Sequence, residues 1–323
     1  MQRRTIITQG AIYFIALIAP SLFAQTYPNQ AIKIIVPFTP GTGMDTIARA
    51  VAPKLSEKLG QSVVVQNMAG ASGNIGADAV AKAPADGHTI LMGANTMLMA
   101  SQMVKSAPFN PVSDFAPVSM AAFGTLMMVA HPKADVKNLQ ELIAKAKARP
   151  GALNFGSPGV GTPHHMAMEL FKLETGTFML HVPYRGTAGY TQDLLAGELQ
   201  VGFLPVHIAQ GFVKSGRLVA LGVGSAKRHP VAPDVPTFEE QGTKRVEVDL
   251  WYAFFVPAKT PTAITNRLQT EIAAIVQQKE IRDLLSRAGM DASSSTQQEL
   301  GTIVAKDYPR WGNVIRSKQL SAE

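Results

Sequence analysis

Ile32-Lys33-Ile34-Ile35-Val36-Pro37-Phe38-Thr39-Pro40-Gly41-Thr42-Gly43-Met44-Asp45 decides how this chain folds. Its first half is a β-branched apolar run that reads as a buried strand, and its second half is a glycine-bearing turn. Ile47, Ala48, Val51, Leu55 and Leu59 then recur at the spacing of one helix face, with Asp45 placed to cap that helix. A strand, a tight loop and a helix make the repeating unit of an α/β fold, in which parallel strand ends open into a ligand crevice. The plan recurs in mid-chain. Leu153-Asn154-Phe155 feeds Gly156-Ser157-Pro158-Gly159-Val160-Gly161-Thr162, and Thr162-Pro163 supplies an N-cap and a first-turn proline ahead of Met166, Leu170 and Leu173.

Both loops read as halves of an anion cradle. The first turn of a helix leaves N–H groups unpaired and carries partial positive charge, which a carboxylate or phosphate completes. Glycine lets the backbone approach a ligand closely, and Thr39, Thr42 and Ser157 offer hydroxyls. The alternative for residues 40–45 is a plain strand-to-helix turn. The loop from Gly156 to Thr162 is not a Walker loop, because no Gly-Lys-Ser/Thr follows, and its glycine order does not fit a dinucleotide fingerprint.

Working outward, further strands are expected at Ser62 to Val65, Thr89 to Gly93, Phe178 to Val182, Leu199 to Leu204, Leu218 to Val223 and Leu250 to Val256. Helices are expected from Asp78, from the capping box Asn138/Glu141, over Leu194-Leu195, from Thr260-Pro261 and from Thr296/Glu299. At 323 residues the chain is long for one hydrophobic core, and no low-complexity linker divides it. Two lobes joined by crossing strands fit this order, with crossings near Val118 to Val129 and near Trp251. The expected boundaries are 25–125 with 250–323 for one lobe and 126–249 for the other.

Composition narrows the function. Arg3 and Arg4 precede the apolar run Ala11 to Ala19, and Pro20, Ser21 and Ala24 follow, so residues 1–24 read as a cleaved secretory signal. That run is well short of the ~20 residues that span a bilayer. Without cysteine there is neither a disulfide framework nor a lipid-anchored thiol. The net charge of +7 is scattered, which biases toward acidic ligands and argues against nucleic acid.

Other candidates each carry a competing reading. His164 and His165 with Glu169 suggest a metal, but the third and fourth ligands of a zinc site are missing. Ser157 as a nucleophile lacks the Gly-x-Ser-x-Gly elbow, leaving a periplasmic hydrolase as a minor alternative. Tyr184-Arg185 ends a strand with an aromatic and a cation. Arg185 is either a fork for a second carboxylate or a solvated surface group. Asn95-Thr96 reaches into a switch-point crevice or makes an Asx turn. The 14 methionines read as core filling.

The order of these motifs resembles the Bug family of solute-binding receptors from tripartite tricarboxylate transporters. Ile34-Ile35-Val36-Pro37-Phe38-Thr39-Pro40-Gly41, Gly70-Ala71-Ser72-Gly73-Asn74-Ile75-Gly76, Gly161-Thr162-Pro163-His164-His165, His181-Val182-Pro183-Tyr184-Arg185-Gly186 and Asp234-Val235-Pro236-Thr237 carry the likeness across roughly Tyr27 to Leu320. The resemblance implies a two-lobed periplasmic binding protein of the type II-like α/β class. Each lobe would be a mixed sheet flanked by helices, closing over a small carboxylate that passes to membrane permease subunits. It implies a binding protein of the periplasm without catalysis or cofactor; a ligand sensor for a membrane kinase is the alternative within the class. The ligand count argues against a metal, and a monomer is the default expectation. Ligand contacts would come from Phe38, Thr39, Gly41, Thr42 and Asp45 on one lobe and Ser157, Gly161, Thr162 and His165 on the other. Asn95, Thr96, Tyr184, Arg185 and Leu204, at strand ends, complete the expected set. Thr42 stands where the family usually has a second glycine, so ligand identity does not carry over.

Overall fold

Ile32, Ile34, Ile35 and Val36 are all at most 4% exposed, as expected of a parallel strand covered on both faces. In the computed structural model, which describes residues 27–104, 107–244, 246, 250–317 and 319–320, they form β1 (Ile32–Val36). The signal sequence expected at residues 1–24 lies outside the described residues. Strand β1 pairs in parallel with β2 (Val63–Asn67) and β3 (Thr89–Ala94). Strand β4 (Phe115–Gly124), β10 (Leu250–Pro257) and β11 (Met290–Ala292) complete a six-stranded mixed sheet in the order β11-β4-β10-β3-β1-β2. Within it β10 runs antiparallel to both β3 and β4.

A second mixed sheet has the order β7-β6-β8-β5-β9, from β5 (Leu126–Ala130), β6 (Asn154–Ser157), β7 (Leu180–Pro183), β8 (Val201–Pro205) and β9 (Val219–Val223). The chain passes from the first sheet to the second between Gly124 and Leu126, and Gly124 pairs with Leu250, the first residue of β10 on the return. Sheet membership therefore changes beside one hydrogen-bonded residue pair.

Helices cover both sheets: α1 (Gly43–Leu59), α2 (Asn74–Ala81), α3 (Thr96–Ala100), α4 (Leu139–Ala148), α5 (Pro163–Thr175), α6 (Thr187–Ala196), α7 (Val206–Lys214), α8 (Thr262–Val276), α9 (Lys279–Arg287) and α10 (Gln297–Ser317). Local chemistry explains several starts. Asn138 Oδ1 accepts the Glu141 N–H at 2.9 Å while Glu141 Oε2 accepts the Lys137 N–H, and Thr296 and Glu299 exchange backbone bonds in the same way. Ile47, Val51 and Leu55 of α1 are fully buried, and the β1 run and the α1 stripe meet in one core with Leu268, Ile272 and Ile275 of α8. No helix among the described residues is long and apolar enough to cross a membrane.

One cap is corrected. Thr42, not Asp45, is the N-cap of α1, with its hydroxyl accepting the Asp45 N–H at 3.4 Å. Asp45 sits in the first turn and accepts the Gly41 N–H at 3.0 Å. The two residues, three apart, act as the halves of a capping box.

Candidate binding site

The first loop is fastened from beneath. Arg49 Nε donates to both Asp45 carboxylate oxygens at 3.0 Å, and Asn67 Nδ2, at the end of β2, donates to Asp45 Oδ1 at 2.9 Å and to the Phe38 carbonyl at 3.0 Å. Burial works to raise the Asp45 pKa, but the bonds from Arg49, Gly41 and Asn67 outweigh it and hold the group below its ordinary value. Its carboxylate is thus committed to shaping the loop. Gly43 is required at the start of α1, because a Cβ there would stand 2.5 Å from the Tyr252 hydroxyl of β10.

The second loop rests on a column of rings. Ser157 is fully buried at the end of β6; its hydroxyl lies 3.0 Å from the Gly159 carbonyl and 2.7 Å from His181 Nε2. The hydroxyl also accepts the Gly159 N–H at 3.2 Å, and whether its proton goes to the carbonyl or to the imidazole follows the tautomer of His181. His181 stacks on Phe155 with centroids 4.7 Å apart and on His165 at 4.1 Å. His165 Nδ1 accepts the Gly161 N–H, and its other nitrogen lies 3.6 Å from Glu169, which also meets Lys172 at 2.6 Å. Burial pushes His165 down to about 3 and His181 to about 4, with the Lys172 charge adding to both, so both rings are neutral. Thr162 caps α5 as expected, accepting the His165 N–H and donating to the Gly159 carbonyl at 2.7 Å.

The two loops close on one small cavity of about 40 Å³. Thr42, Gly43 and Met44 enter it from the start of α1; Thr162, Pro163 and His164 from α5; Thr187 from α6; and Pro205 from the residue before α7. Phe38, Ala94, Thr96, Pro158, Leu250 and Tyr252 complete the wall. No lysine, arginine, aspartate or glutamate lines it. Four helices of eight or more residues thus begin at a single uncharged chamber, each bringing about half a unit of positive charge. Outside lies a mouth of about 690 Å³, between Phe38, Thr39 and Gly70–Gly73 on one side and Pro158–Val160, Tyr184 and Arg185 on the other.

The expected residues divide accordingly. Phe38, Thr42, Thr96 and Thr162 line the chamber, and Thr39, Tyr184 and Arg185 line the mouth, Arg185 with an exposed side chain. Asp45, Ser157 and His165 stand behind the walls and hold the loops. Gly41 is exposed at the tip of the first loop, Gly161 packs against Ala100 across the cleft, and Asn95 is buried one residue before Thr96. Leu204 is fully buried in the lobe core, and its neighbour Pro205 takes the place at the wall. His164 was weighed from the sequence only as a metal ligand, and Thr187 and Tyr252 were not anticipated. Thr187 had a legible signal, since Gly186-Thr187 repeats the glycine-threonine helix start of Gly161-Thr162.

Two mixed sheets opposed across a cleft into which their helices point N-terminus first define a two-lobed periplasmic binding protein. A sequence profile described as the tripartite tricarboxylate transporter family receptor matches residues 47–320, and the chain belongs to that family of solute-binding receptors, the one that includes the Bug proteins. It is 35% identical over 309 residues to Protein BugT of Bordetella pertussis, covering 95% of each chain. Among solved structures it is similar to a Rhodopseudomonas palustris protein determined with adipate, at 31% identity and TM-score 0.86, covering 91% of this chain and 99% of that one. It is also similar to MatC from the same organism with bound malate, at 27% identity and TM-score 0.84, covering 90% of this chain and all of the other.

Proposed function

We propose that this protein captures a small carboxylate in the periplasm by closing its two lobes, residues 25–125 with 250–323 and residues 126–249, and delivers it to the permease subunits of a tripartite transporter. The observation that carries the reading is the convergence of the N-termini of α1, α5, α6 and α7 on one chamber without charged side chains. Such a chamber holds an anion by backbone dipoles and N–H groups, with no countercharge to be desolvated. The adipate and malate of the two relatives belong to the ligand class this chemistry favours. Membership of a transporter-receptor family supports delivery to a permease; a cleaved leader at residues 1–24 would place the mature chain on the correct side of the membrane.

We read the protein as non-catalytic. Ser157 is fully buried, and among the described residues no carboxylate is bonded to the His181 ring, so the group that orients the base of a nucleophilic serine is missing. The test is thermal unfolding of the mature protein against small carboxylates with their uncharged amides as controls. A ligand of the folded state adds ~2.7 kcal/mol at a hundred times its dissociation constant. Stabilisation by acids and not by amides is the expected result; stabilisation by both alike would remove the anion reading.

A further inference from the structure

Tyr252 is the third residue of β10, the strand on which the chain returns to the first sheet. It pairs with Ala94 of β3 on one side and Ala122 of β4 on the other, and a bulge in the β4 pairing falls directly after it. Bulges re-aim side chains and recur beside functional sites. The ring here spans from the place where the sheets change to the first loop: its Cε2 lies 3.4 Å from where a Cβ on Gly124 would stand, and its hydroxyl 2.5 Å from where one on Gly43, the first residue of α1, would stand. Gly43, Ala94 and Tyr252 all line the chamber.

Tyr252 is only 5% exposed, and its hydroxyl makes no hydrogen bond among the described residues. Unlike the Tyr190 hydroxyl and the ring nitrogens of His164, which are unpartnered and closed off, the Tyr252 oxygen is not sealed, and the cavity that its ring borders is the chamber. Buried polar groups in folded proteins are almost always paired, so an open, unpartnered hydroxyl in the wall of a binding chamber points to what enters it. The hydroxyls of Thr42 and Thr162 are already used in capping their helices.

We propose that Tyr252 is a ligand-binding residue, its phenol donating a hydrogen bond to the carboxylate at the N-terminus of α1. The inference rests on the carboxylate reading above and adds a side-chain donor to the helix N-termini. Burial pushes the phenol well above its ordinary value, so it keeps its proton at physiological pH and meets an anion as a donor. An O–H given to a carboxylate makes a charge-assisted bond and brings no second charge to be desolvated. Because the donor sits on β10, the bond also ties the anion to the strand at which the chain re-enters the first sheet.

The test is titration calorimetry of the wild type and Tyr252→Phe with acetate, propionate, succinate, malate and adipate, together with thermal unfolding of both proteins without ligand. Every acid that the wild type binds should bind the variant about tenfold more weakly, which is about 1.4 kcal/mol. The unliganded melting temperature should stay the same or rise, because the hydroxyl that is removed has no partner inside the protein. Affinities within about twofold of the wild type overturn the assignment. So does a lowered melting temperature without ligand, which would give the hydroxyl a structural role. If the wild type binds none of the five acids, the carboxylate reading fails and the assignment falls with it, whereas a wild type that binds beside an unaffected variant removes the Tyr252 contact alone.

Discussion

Single residues under the second loop tie the site to pH. His165 and His181 are neutral in the folded protein because burial depresses them to about 3 and about 4, whereas in the unfolded chain each titrates near 6.5. Below pH 6.5 the unfolded state therefore binds protons that the folded state refuses, and stability falls as pH drops. The loss runs at about 1.4 kcal/mol per pH unit for each ring until the folded value is reached. Melting temperature should decline steadily from pH 6.5 to 4.5, and His181→Asn, which retains a donor toward Ser157, should make the decline shallower. A flat profile across that window would contradict the buried neutral column. At this scale the sequence was a partial guide. It marked Asp45, Ser157 and His165 as important, but a residue that touches a ligand and one that holds the loop touching it have the same local signature. Burial and partners, which depend on β2 and β7 arriving from elsewhere in the chain, separate the two. Leu204 lies in the lobe core for a related reason: β8 is buried on both faces over most of its length, so no alternation says which residue meets the cleft.

Elements whose start is fixed by local chemistry were legible. The boxes at Asn138/Glu141 and Thr296/Glu299 and the Thr162-Pro163 start all depend on atoms within four residues. Thr42 and Asp45 are both cap formers at capping-box spacing, and choosing the second misplaced the cap by three residues. Helix α7 was unread because Pro205 precedes it and no side chain caps it, so the usual polar start signal is missing. Helix α9 presents only Ile281 and Leu285 as buried positions in Lys279–Arg287, too narrow a stripe to stand out among charges. The α5 cap gives a test of how an element start serves the site. Thr162→Ala should cost about 1 kcal/mol in urea unfolding by leaving the His165 N–H uncapped. It should also weaken ligand binding, since the same turn faces the chamber. Full stability with unchanged binding would show that the Thr162 hydroxyl is dispensable.

In the whole molecule the lobes meet through glycines. A Cβ on Gly186 would lie 2.3 Å from Thr39 Oγ1, one on Gly159 2.7 Å from Ser72 Oγ, and one on Gly161 2.7 Å from the Ala100 Cα. These approaches belong to a closed arrangement, which a ligand stabilises only through contacts it makes there and not in the open one. Thr39→Leu adds bulk against Gly186 without backbone strain and should weaken binding about tenfold or more by holding the lobes apart. Thr39→Val, which removes the hydroxyl at nearly constant volume, separates bulk from hydrogen bonding. Equal losses in both variants would assign the effect to the hydroxyl and not to closure. The pairing of Gly124 with Leu250 has a mechanical consequence. The second sheet leaves and rejoins the first at one residue pair, so a pulling force applied at residues 27 and 320 loads the first sheet and passes by the second. In an optical trap the strands β1–β4 and β10 should rupture first. Only then should residues 126–249 extend, as a separate later step of roughly 400 Å at ~3.4 Å per residue. The part of the receptor that carries half of the proposed cradle is in this sense held out of the load path, like a pendant on a chain.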